Sequence, residues 1–487
     1  MRPAVVAVLV VSIVLRFLTR SPLWLDEAQT VSIANRSVPH LFTALREDGA
    51  PPLYYLLLHY WMAAFGTSSF AVRSLSSVLS VGALPVMAVV AKRFKLLGDS
   101  PWPAVLLLAT CPFVIRYATE ARMYSLVLLL VLLALVAYER VWTVGGWRPA
   151  VAATVVTGAL LLTQYWAIFM LATAGATVLF AMWRGAREAR RLLVPMVIGC
   201  GFFLPWLPSF AYQSAHTGAP WGSPPGIEVP FVALGGWVGG GLASPVLRWA
   251  YYLLAAVAIF GYARRGGGVS FHWPVRRRPL LLLGFGVAVL LVGTVASEAV
   301  TSAYAPRYTM VAVAPILLVV AAGLDALSPR LRTATLAVVV VSGLAGSALI
   351  PGELRTQAAQ VAKILRAAQP GDLVVFCPDQ LGPAVHRLAP NAGRQVVYPT
   401  FGSAAMVDWV DYKTRNEDAD PYTFAGSALQ MAAGHTIWFI YETGYPTLAG
   451  GCTDLLTTFT VARGQPVDAL NGHGAFETDN VAEFLAP

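Results

Sequence analysis

The chain has 487 residues, of which 57% are hydrophobic and only 12% are charged, and its mean hydropathy is +0.64. Soluble domains carry about 25% charged residues, so this composition excludes an ordinary soluble protein and predicts that most of the chain is surrounded by lipid. The net charge of +9 does not indicate a nucleic-acid partner, because the position of basic residues in a membrane protein matters more than their sum.

Apolar segments follow one another along the first 350 residues, and each is predicted to be a membrane-spanning helix of about 20 residues. A polar amide and two interfacial aromatic residues at Gln164-Tyr165-Trp166 divide the nearly continuous run 149–183. About eleven spans result, near residues 3–18, 72–91, 101–115, 123–138, 149–163, 166–183, 192–210, 246–263, 279–297, 309–324 and 332–350.

Basic residues alternate between the loops in a way that predicts the orientation of the chain. With the N-terminus in the cytoplasm, the loops that carry most Arg and Lys also fall inside, as the positive-inside rule requires. Those residues are Lys92, Arg93, Lys95, Arg140, Arg148, Arg184, Arg187, Arg190, Arg191, Arg264, Arg265, Arg276, Arg277, Arg278, Arg330 and Arg332. We therefore expect a multi-pass protein of a bacterial inner membrane, with residues 1–18 retained as its first helix.

Residues 351–487 differ in composition and, after an odd number of spans, are predicted to lie outside the cytoplasm. Apolar strand-like runs at 372–376, 394–399 and 436–442 alternate with helical patterns such as 353–369, which predicts a small α/β domain. A disulfide between Cys377 and Cys452 is plausible there. Asp379 and His386 are expected to be ordinary surface residues.

Adjacent carboxylates occur in the outer loop 19–71, at Asp26 and Glu27. Asp26 suits the N-cap of a helix, and caps are far commoner than catalytic pairs. An ionised Asp26 facing a water-filled cavity would also suit a general base that accepts a hydroxyl proton. Both interpretations stay open, because a cap can also hold a catalytic side chain in place.

An aromatic segment follows in the same loop, after Ala50-Pro51-Pro52. Its apolar run is about 14 residues long, too short to span a membrane, so it predicts a helix lying in the interface as a ledge for lipid or acceptor.

Arginines recur on the predicted outer side. Arg307-Tyr308 at the start of the tenth span is either a membrane anchor or a site for an anionic headgroup, since the Arg fork matches phosphate oxygens. Glu120 and Arg122 share a short turn with Arg116 and either pair with one another or line a cavity. Arg73 is an anchor or a phosphate ligand.

Four motifs in order resemble glycosyltransferase family 39, the membrane-embedded group that includes protein O-mannosyltransferases and the aminoarabinose transferase of lipid A. They are WLDEA at 24–28, D-x-x-PPLYYLLLH at 48–59, Y-x-x-EARMY at 117–124 and PRY at 306–308. The resemblance covers about residues 1–325 and implies a mainly α, polytopic GT-C fold, with the α/β domain 351–487 outside it.

The resemblance also implies roles for the residues of those motifs. Asp26 would be the base, with Glu27 orienting it or contacting the acceptor. The donor phosphate and cavity would be bound by Arg307, Tyr308, Arg122, Glu120 and Tyr124, to which we add Arg73 from outside the motifs. The acceptor or ledge would be bound by Asp48, Tyr54, Tyr55 and His59, to which we add Gln164 and Tyr165 from the turn after the fifth span. Ala50 and Gln164-Tyr165-Trp166 stand where many relatives have His and His-Tyr-Tyr, which puts the specificity in doubt.

The predicted function is transfer of a sugar, with mannose expected from the resemblance, from a polyprenyl-phosphate donor to a hydroxyl of a glycan, lipid or protein acceptor. No cofactor is expected, although adjacent Asp and Glu could recruit a divalent cation. A transporter or flippase of a lipid-linked sugar would also need many spans and an Arg-lined cavity, and an inactive membrane scaffold is the third class.

Overall fold

The computed structural model describes residues 3–98, 100–218, 226–263, 269–271, 275–299, 304–444, 448 and 450–487. Arg264 and Arg265, which contributed to the predicted orientation, lie outside the described residues.

Helices dominate the described part of residues 1–350. They are α1 Pro3–Leu15, α2 Leu25–Ala34, α3 Val38–Asp48, α4 Leu53–Phe65, α5 Ser69–Phe94, α6 Trp102–Thr110, α7 Pro112–Ala118, α8 Tyr124–Thr143, α9 Trp147–Leu161, α10 Trp166–Trp183, α11 Arg187–Gly201, α12 Leu207–His216, α13 Val229–Gly236, α14 Ser244–Phe260, α15 Arg277–Ala299, α16 Met310–Asp325 and α17 Pro329–Ser347. A short hairpin of β1 Gly261–Ala263 and β2 Val269–Phe271 lies between α14 and α15.

Seven helical stretches of the described chain are long and apolar enough to cross a membrane. They are Ser69–Phe94, Tyr124–Thr143, Trp166–Trp183, Arg187–His216, Arg277–Glu298, Pro306–Asp325 and Pro329–Gly352. The shorter apolar helices α1, α9 and α14, together with α6 and α7, account for the remaining predicted segments. The chain is therefore a multi-pass membrane protein, whereas its orientation stays a prediction.

The predicted span 101–115 is wrong as a single helix. It divides at Cys111, whose backbone is extended, and α7 begins at Pro112. Proline has no N–H to continue a helix and keeps the residue before it out of the helical region. The chain leaves α7 at Ala118 and enters the 119–123 turn.

Helix α16 forms the centre of the helical part. In the stretch Pro306–Asp325, 89% of the most apolar window is buried, because this helix is apolar on every side and packs between α6, α8, α14 and α15. Gly323 lies directly against the backbone of Leu254 on α14, where a β-carbon would clash. This close approach holds the end of α16 against α14, and the packing along the rest of the helix positions its start, which follows Arg307 and Tyr308.

A five-stranded sheet forms the core of the C-terminal region, as predicted from the three strand-like runs. Its strands are β3 Leu373–Cys377, β4 Arg394–Val397, β5 Ile437–Tyr441, β6 Val467–Leu470 and β7 Asn480–Phe484, in the order β4-β3-β5-β7-β6. β3 is parallel to β4 and β5, whereas β7 is antiparallel to β5 and β6. Helices α18 Ala358–Ile364, α19 Gly382–Leu388, α20 Tyr412–Glu417, α21 Pro421–Met431 and α22 Gly451–Arg463 surround or follow the strands.

Two details of this region were predicted in part. The disulfide joins Cys377, at the end of β3, to Cys452 on α22, with 5.5 Å between their α-carbons. The helix predicted over 353–369 is shorter, because Leu354 and Arg355 accept backbone hydrogen bonds from residues 476 and 477 and so remain extended.

The expectation that Asp379 is a surface residue is wrong. Its side chain is buried and accepts a hydrogen bond of 2.6 Å from the Tyr412 hydroxyl. Burial raises the pKa of Asp379 to about 7, and the Tyr412 hydrogen bond opposes that rise. Asp379 is therefore a proton-binding group inside the sheet region.

We expect Asp379→Asn to remove part of the pH dependence of stability. Between about pH 4 and pH 7 the folded chain holds a proton that the unfolded chain has lost, so stability falls as the pH rises through this window. As the pH rises through this window, the free energy of unfolding of the variant should increase by about 2–4 kcal/mol relative to that of the parent. Thermal unfolding from pH 4.5 to pH 8 tests this, with exposed Asp418→Asn as the matched control. Parallel plots of melting temperature against pH for Asp379→Asn and the parent would contradict this prediction.

Candidate functional site

A cavity of about 350 Å³ opens where the 25–51 region meets the ends of α10, α12, α15 and α16. One wall is apolar and aromatic, with Trp166, Phe169 and Phe210. The other wall carries Asp26, Arg122 and Arg307, and Trp409 of the sheet region also contributes. The cavity therefore combines a surface suited to an apolar chain with a charged end.

Asp26 lies between the two arginines of this charged end. Its Oδ2 is 3.3 Å from Nη2 of Arg307 and 3.9 Å from Nε of Arg122. All three side chains are largely buried, with 13–16% of each exposed. One carboxylate thus lies between two guanidinium groups at this end of the cavity.

The Asp26 capping prediction is wrong. Helix α2 begins at Leu25, so Asp26 lies inside its first turn, and the preceding Trp24 forms no side-chain capping hydrogen bond. In this position the Asp26 side chain is free of the capping role and points to the cavity.

Polar atoms around the cavity are buried but lack a hydrogen-bond partner among the described residues. They are Asp26 Oδ2, Nε of Arg122 and Arg307, both amide atoms of Gln164, and the hydroxyl of Ser297. Buried polar groups in folded proteins are nearly always hydrogen-bonded. Such a cluster around one cavity indicates a polar ligand that completes it.

A second carboxylate, Asp48, is held beside the first. Its Oδ1 accepts a hydrogen bond from Gln29 at 2.5 Å, and its Oδ2 accepts one from the Tyr55 hydroxyl at 2.9 Å. Burial raises the pKa of Asp48, and the nearby Arg122 opposes that rise. Arg122 in turn donates to Thr30 at 2.8 Å and to Tyr55 at 3.1 Å, so this network fixes the Arg122 fork.

Glu27 does not face the cavity, although it is the next residue to Asp26. It is fully buried and forms an ion pair with Arg73, and its Oε1 also accepts the Ala121 N–H at 2.9 Å. Arg73 donates further to the carbonyls of Ser21 and Pro22. Glu27 and Arg73 thus pair with each other, and neither is among the residues that line this cavity.

Glu120 and Tyr124 stand behind the cavity wall. Glu120 is buried and accepts a hydrogen bond of 2.5 Å from Arg116. Burial favours a higher pKa for Glu120, but Arg116 and Arg355 outweigh it and hold that pKa below its usual value. The Tyr124 ring packs edge-on against Tyr117, with 4.8 Å between centroids.

The aromatic segment forms helix α4, which confirms the predicted short helix. Tyr54 is fully buried and hydrogen-bonds Ser76, and His59 hydrogen-bonds the Ala34 carbonyl oxygen, so both hold α4 against its neighbours. Neither lines the cavity.

The connection between α9 and α10 at residues 164–166 contributes directly to the cavity. Gln164, Tyr165 and Tyr308 line it, and the Tyr165 hydroxyl donates to Gln213 and accepts from Trp206. Arg307 lies over the ring of Tyr308, 5.7 Å from its centroid.

Several cavity residues were not predicted. Gln29 binds both backbone groups of Val407, donating at 3.2 Å and accepting at 3.0 Å, and so joins α2 to the sheet region. Gln213 and Trp409 also line the cavity. Gln29 is one helical turn after Asp26 on the same face of α2, and that spacing was the one available signal in the sequence.

Metal ligands are not clustered in the part of the chain that the structure describes: no three His, Cys, Asp or Glu side chains there could hold an ion together. Whether catalysis needs a divalent cation stays a prediction to be tested.

Comparison with known proteins identifies solved structures with a similar architecture. No family model matches the chain, and no curated protein matches its sequence. Among solved structures it is similar to ArnT from Cupriavidus metallidurans bound to undecaprenyl phosphate, with a TM-score of 0.61, 14% identity and coverage of 99% of this chain and 98% of that one. Apo ArnT from the same organism gives a TM-score of 0.63 and 13% identity, over 99% and 97% of the two chains.

The chain has the GT-C fold. The mycobacterial arabinofuranosyltransferase AftD is a further similar structure, with a TM-score of 0.50 and 14% identity, covering 100% of this chain but 42% of AftD. The alignment with ArnT spans the whole chain, so the shared architecture includes the C-terminal sheet region that the sequence motifs left uncovered.

We expect Arg73→Met to destabilise the protein by about 3–5 kcal/mol, because it leaves the Glu27 carboxylate buried without its ion partner. Glu27→Gln together with Arg73→Met should recover much of that loss. Thermal unfolding of the two single variants and the double variant measures the coupling. Strictly additive effects would contradict the positioning role of the pair.

Proposed function

We propose that the chain is a membrane glycosyltransferase that moves a sugar from a polyprenyl-phosphate donor to an acceptor hydroxyl. The observation that carries the proposal is the carboxylate Asp26 held between Arg122 and Arg307, at the polar end of a cavity whose other wall is aromatic. A lipid-linked sugar needs an apolar surface for its chain, cations for its phosphate and a base for the incoming hydroxyl.

The comparisons support this choice of donor. ArnT, whose fold this chain shares, is described in one of its structures as bound to undecaprenyl phosphate, and AftD is named as an arabinofuranosyltransferase. We infer a hexose or pentose as the transferred group, and mannose follows only from the family resemblance of the motifs. The acceptor is proposed as a glycan, lipid or protein at the same membrane face.

The proposed reaction is a single displacement. The acceptor hydroxyl gives its proton to Asp26 and its oxygen forms a bond to the anomeric carbon, while the bond from that carbon to the phosphate oxygen breaks. The phosphate leaves as an anion, so no acid is needed to protonate it. Attack opposite to the leaving group inverts the configuration of the sugar.

Arg307 has two partners in this scheme. In the described structure its Nη2 pairs with Oδ2 of Asp26 at 3.3 Å. A donor phosphate would compete for the same guanidinium and, with Arg122, would receive the charge that develops on the leaving group. Donor binding would thereby release Asp26 to act as a base only when there is a sugar to transfer.

Glu27, Asp48 and Tyr55 are proposed as positioning residues. Glu27 fixes the turn that carries Arg122 through the Ala121 N–H, and Tyr55 bridges Asp48 and Arg122. The unpartnered amide of Gln164 is proposed to hydrogen-bond the sugar or the acceptor, since its atoms are buried at the cavity. Because the donor arrives through lipid, we expect no nucleotide cofactor.

The test is release of free polyprenyl phosphate by purified protein in detergent, with a panel of polyprenyl-phosphate sugars and a cell-envelope extract as the acceptor source. We expect extract-dependent release from one donor and a loss of about 10²–10⁴-fold in Asp26→Asn, the range for removal of a general base. Exposed Asp418→Asn makes the same chemical change away from the cavity and should retain full activity.

A transporter or flippase would give a different result. It would move the intact lipid-linked sugar across proteoliposomes without releasing polyprenyl phosphate. Absence of release from every donor by protein that unfolds cooperatively would overturn the transferase proposal, and full activity in Asp26→Asn would remove Asp26 from its role.

A further inference from the structure

A second cavity lies on the other side of Glu27 from the first one. It has a volume of about 390 Å³ and is formed where the end of α1 and the start of α5 meet α18 and α19 of the sheet region. We call it the arginine-lined cavity, because Arg16, Arg20 and Arg73 line it together with the hydroxyl-bearing residues Thr19, Ser21, Ser69, Ser74, Ser77 and Thr119. It shares no lining residue with the Asp26 cavity.

The charge of this cavity is unbalanced. Its described lining includes no acidic residue, and among the described residues Glu27 is the one carboxylate that forms a salt bridge with any of its three arginines, through Arg73. Arg16 is fully buried and donates to the carbonyls of Ser12, Leu108 and Ala109, which are neutral acceptors. Arg16 also donates to the Ser80 hydroxyl, and Arg20 is exposed. The cavity is therefore lined by one buried and one exposed arginine that form no salt bridge within the described chain.

Burying an uncompensated charge is costly, so the arrangement favours an anion inside the cavity. The lining hydroxyls suit an oxyanion, since Thr19 Oγ1 is buried without a hydrogen-bond partner among the described residues. A fourth arginine of the region, Arg355, lies behind the wall and donates to the Thr119 carbonyl at 2.8 Å, which adds to the positive potential. Arginine forks are the preferred protein partners of phosphate groups.

Apolar side chains surround the approach to the cavity. Leu18 is 46% exposed and Phe70, which lines the cavity, is 66% exposed. Val10 and Val14 on the adjoining face of α1 are also about half exposed. In a multi-pass membrane protein such a surface faces lipid tails, so a ligand can place its charged group among the arginines while its chains lie along α1.

We propose that the arginine-lined cavity is a binding site for a phosphate monoester or diester group, supplied by the headgroup of an anionic membrane lipid. The site is separate from the cavity of the proposed reaction. Arg73 connects the two, because it lines this cavity while pairing with Glu27, the neighbour of Asp26. A bound phosphate would thus lie beside the Glu27–Arg73 pair, while Arg73 keeps its hydrogen bonds to Glu27, Ser21 and Pro22.

The experiment measures thermal stabilisation of the full chain in detergent by dioctanoyl phosphatidic acid, dioctanoylglycerol and inorganic phosphate. A ligand that binds only the folded state raises the melting temperature in proportion to its affinity. We expect phosphatidic acid to stabilise and dioctanoylglycerol, which lacks the phosphate, to have no effect. Stabilisation by inorganic phosphate alone that depends on Arg20 would support the same site with a soluble phosphate as its ligand.

Two variants locate the effect. Arg20→Gln removes an exposed charge at the cavity and should weaken the apparent affinity by roughly tenfold, while Ser69→Leu should block the cavity without changing charge. Arg36→Gln, at an exposed arginine away from this cavity, is the matched control and should bind like the parent.

Arg307→Gln distinguishes the two cavities and should leave the stabilisation by phosphatidic acid intact. Equal stabilisation by phosphatidic acid and dioctanoylglycerol, unchanged affinity in both Arg20→Gln and Ser69→Leu, or loss of the effect only in Arg307→Gln would each overturn the proposal. None of these outcomes depends on glycosyl transfer, so the proposal fails or stands independently of the proposed reaction.

Discussion

The buried carboxylate of Glu27 holds the charged half of the molecule together. It receives the Arg73 guanidinium from α5 and, at 2.9 Å, the N–H of Ala121 from the 119–123 turn, while its own backbone lies in the first turn of α2. Three segments distant in sequence therefore meet at one side chain. Because Asp26 precedes Glu27 and Arg122 follows Ala121, their separation is set by this contact rather than by their own ion pair.

The charges are arranged in two layers around that contact. Asp26, Arg122 and Arg307 face the first cavity, where Asp26 and the arginines are close but imperfectly hydrogen-bonded. Behind them, Glu27 and Arg73 form a complete pair that accepts no further ligand on the Glu27 side. The Glu27–Arg73 pair has its hydrogen bonds satisfied, whereas the Asp26, Arg122 and Arg307 side chains do not. This arrangement is expected of a preorganised binding site, because a rigid supporting pair keeps the cavity side chains in place when no ligand is bound.

Hydropathy was sufficient to predict the helical architecture, and short motifs were sufficient to select Asp26, Arg122 and Arg307. The sequence also grouped Glu27 and Arg73 with the cavity residues, whereas the structure pairs them with each other outside the lining of that cavity, for a geometric reason. Successive residues on a helix point about 100° apart, so which of two adjacent carboxylates faces a cavity depends on the helix start, here Leu25. The contact of Gln29 with Val407 spans 378 positions and has no local signature, so only the folded chain reveals it.

The link between Gln29 and Val407 has a consequence for biosynthesis. The helix that carries Asp26 leaves the ribosome well before the segment around Val407 that secures it, because 378 positions separate Gln29 from Val407. Until then Gln29 lacks its two backbone partners and Trp409 does not yet close the cavity. A partly synthesised chain in the membrane therefore has Asp26 and the cavity arginines but not the finished enclosure, so the proposed reaction would require the sheet region to be in place.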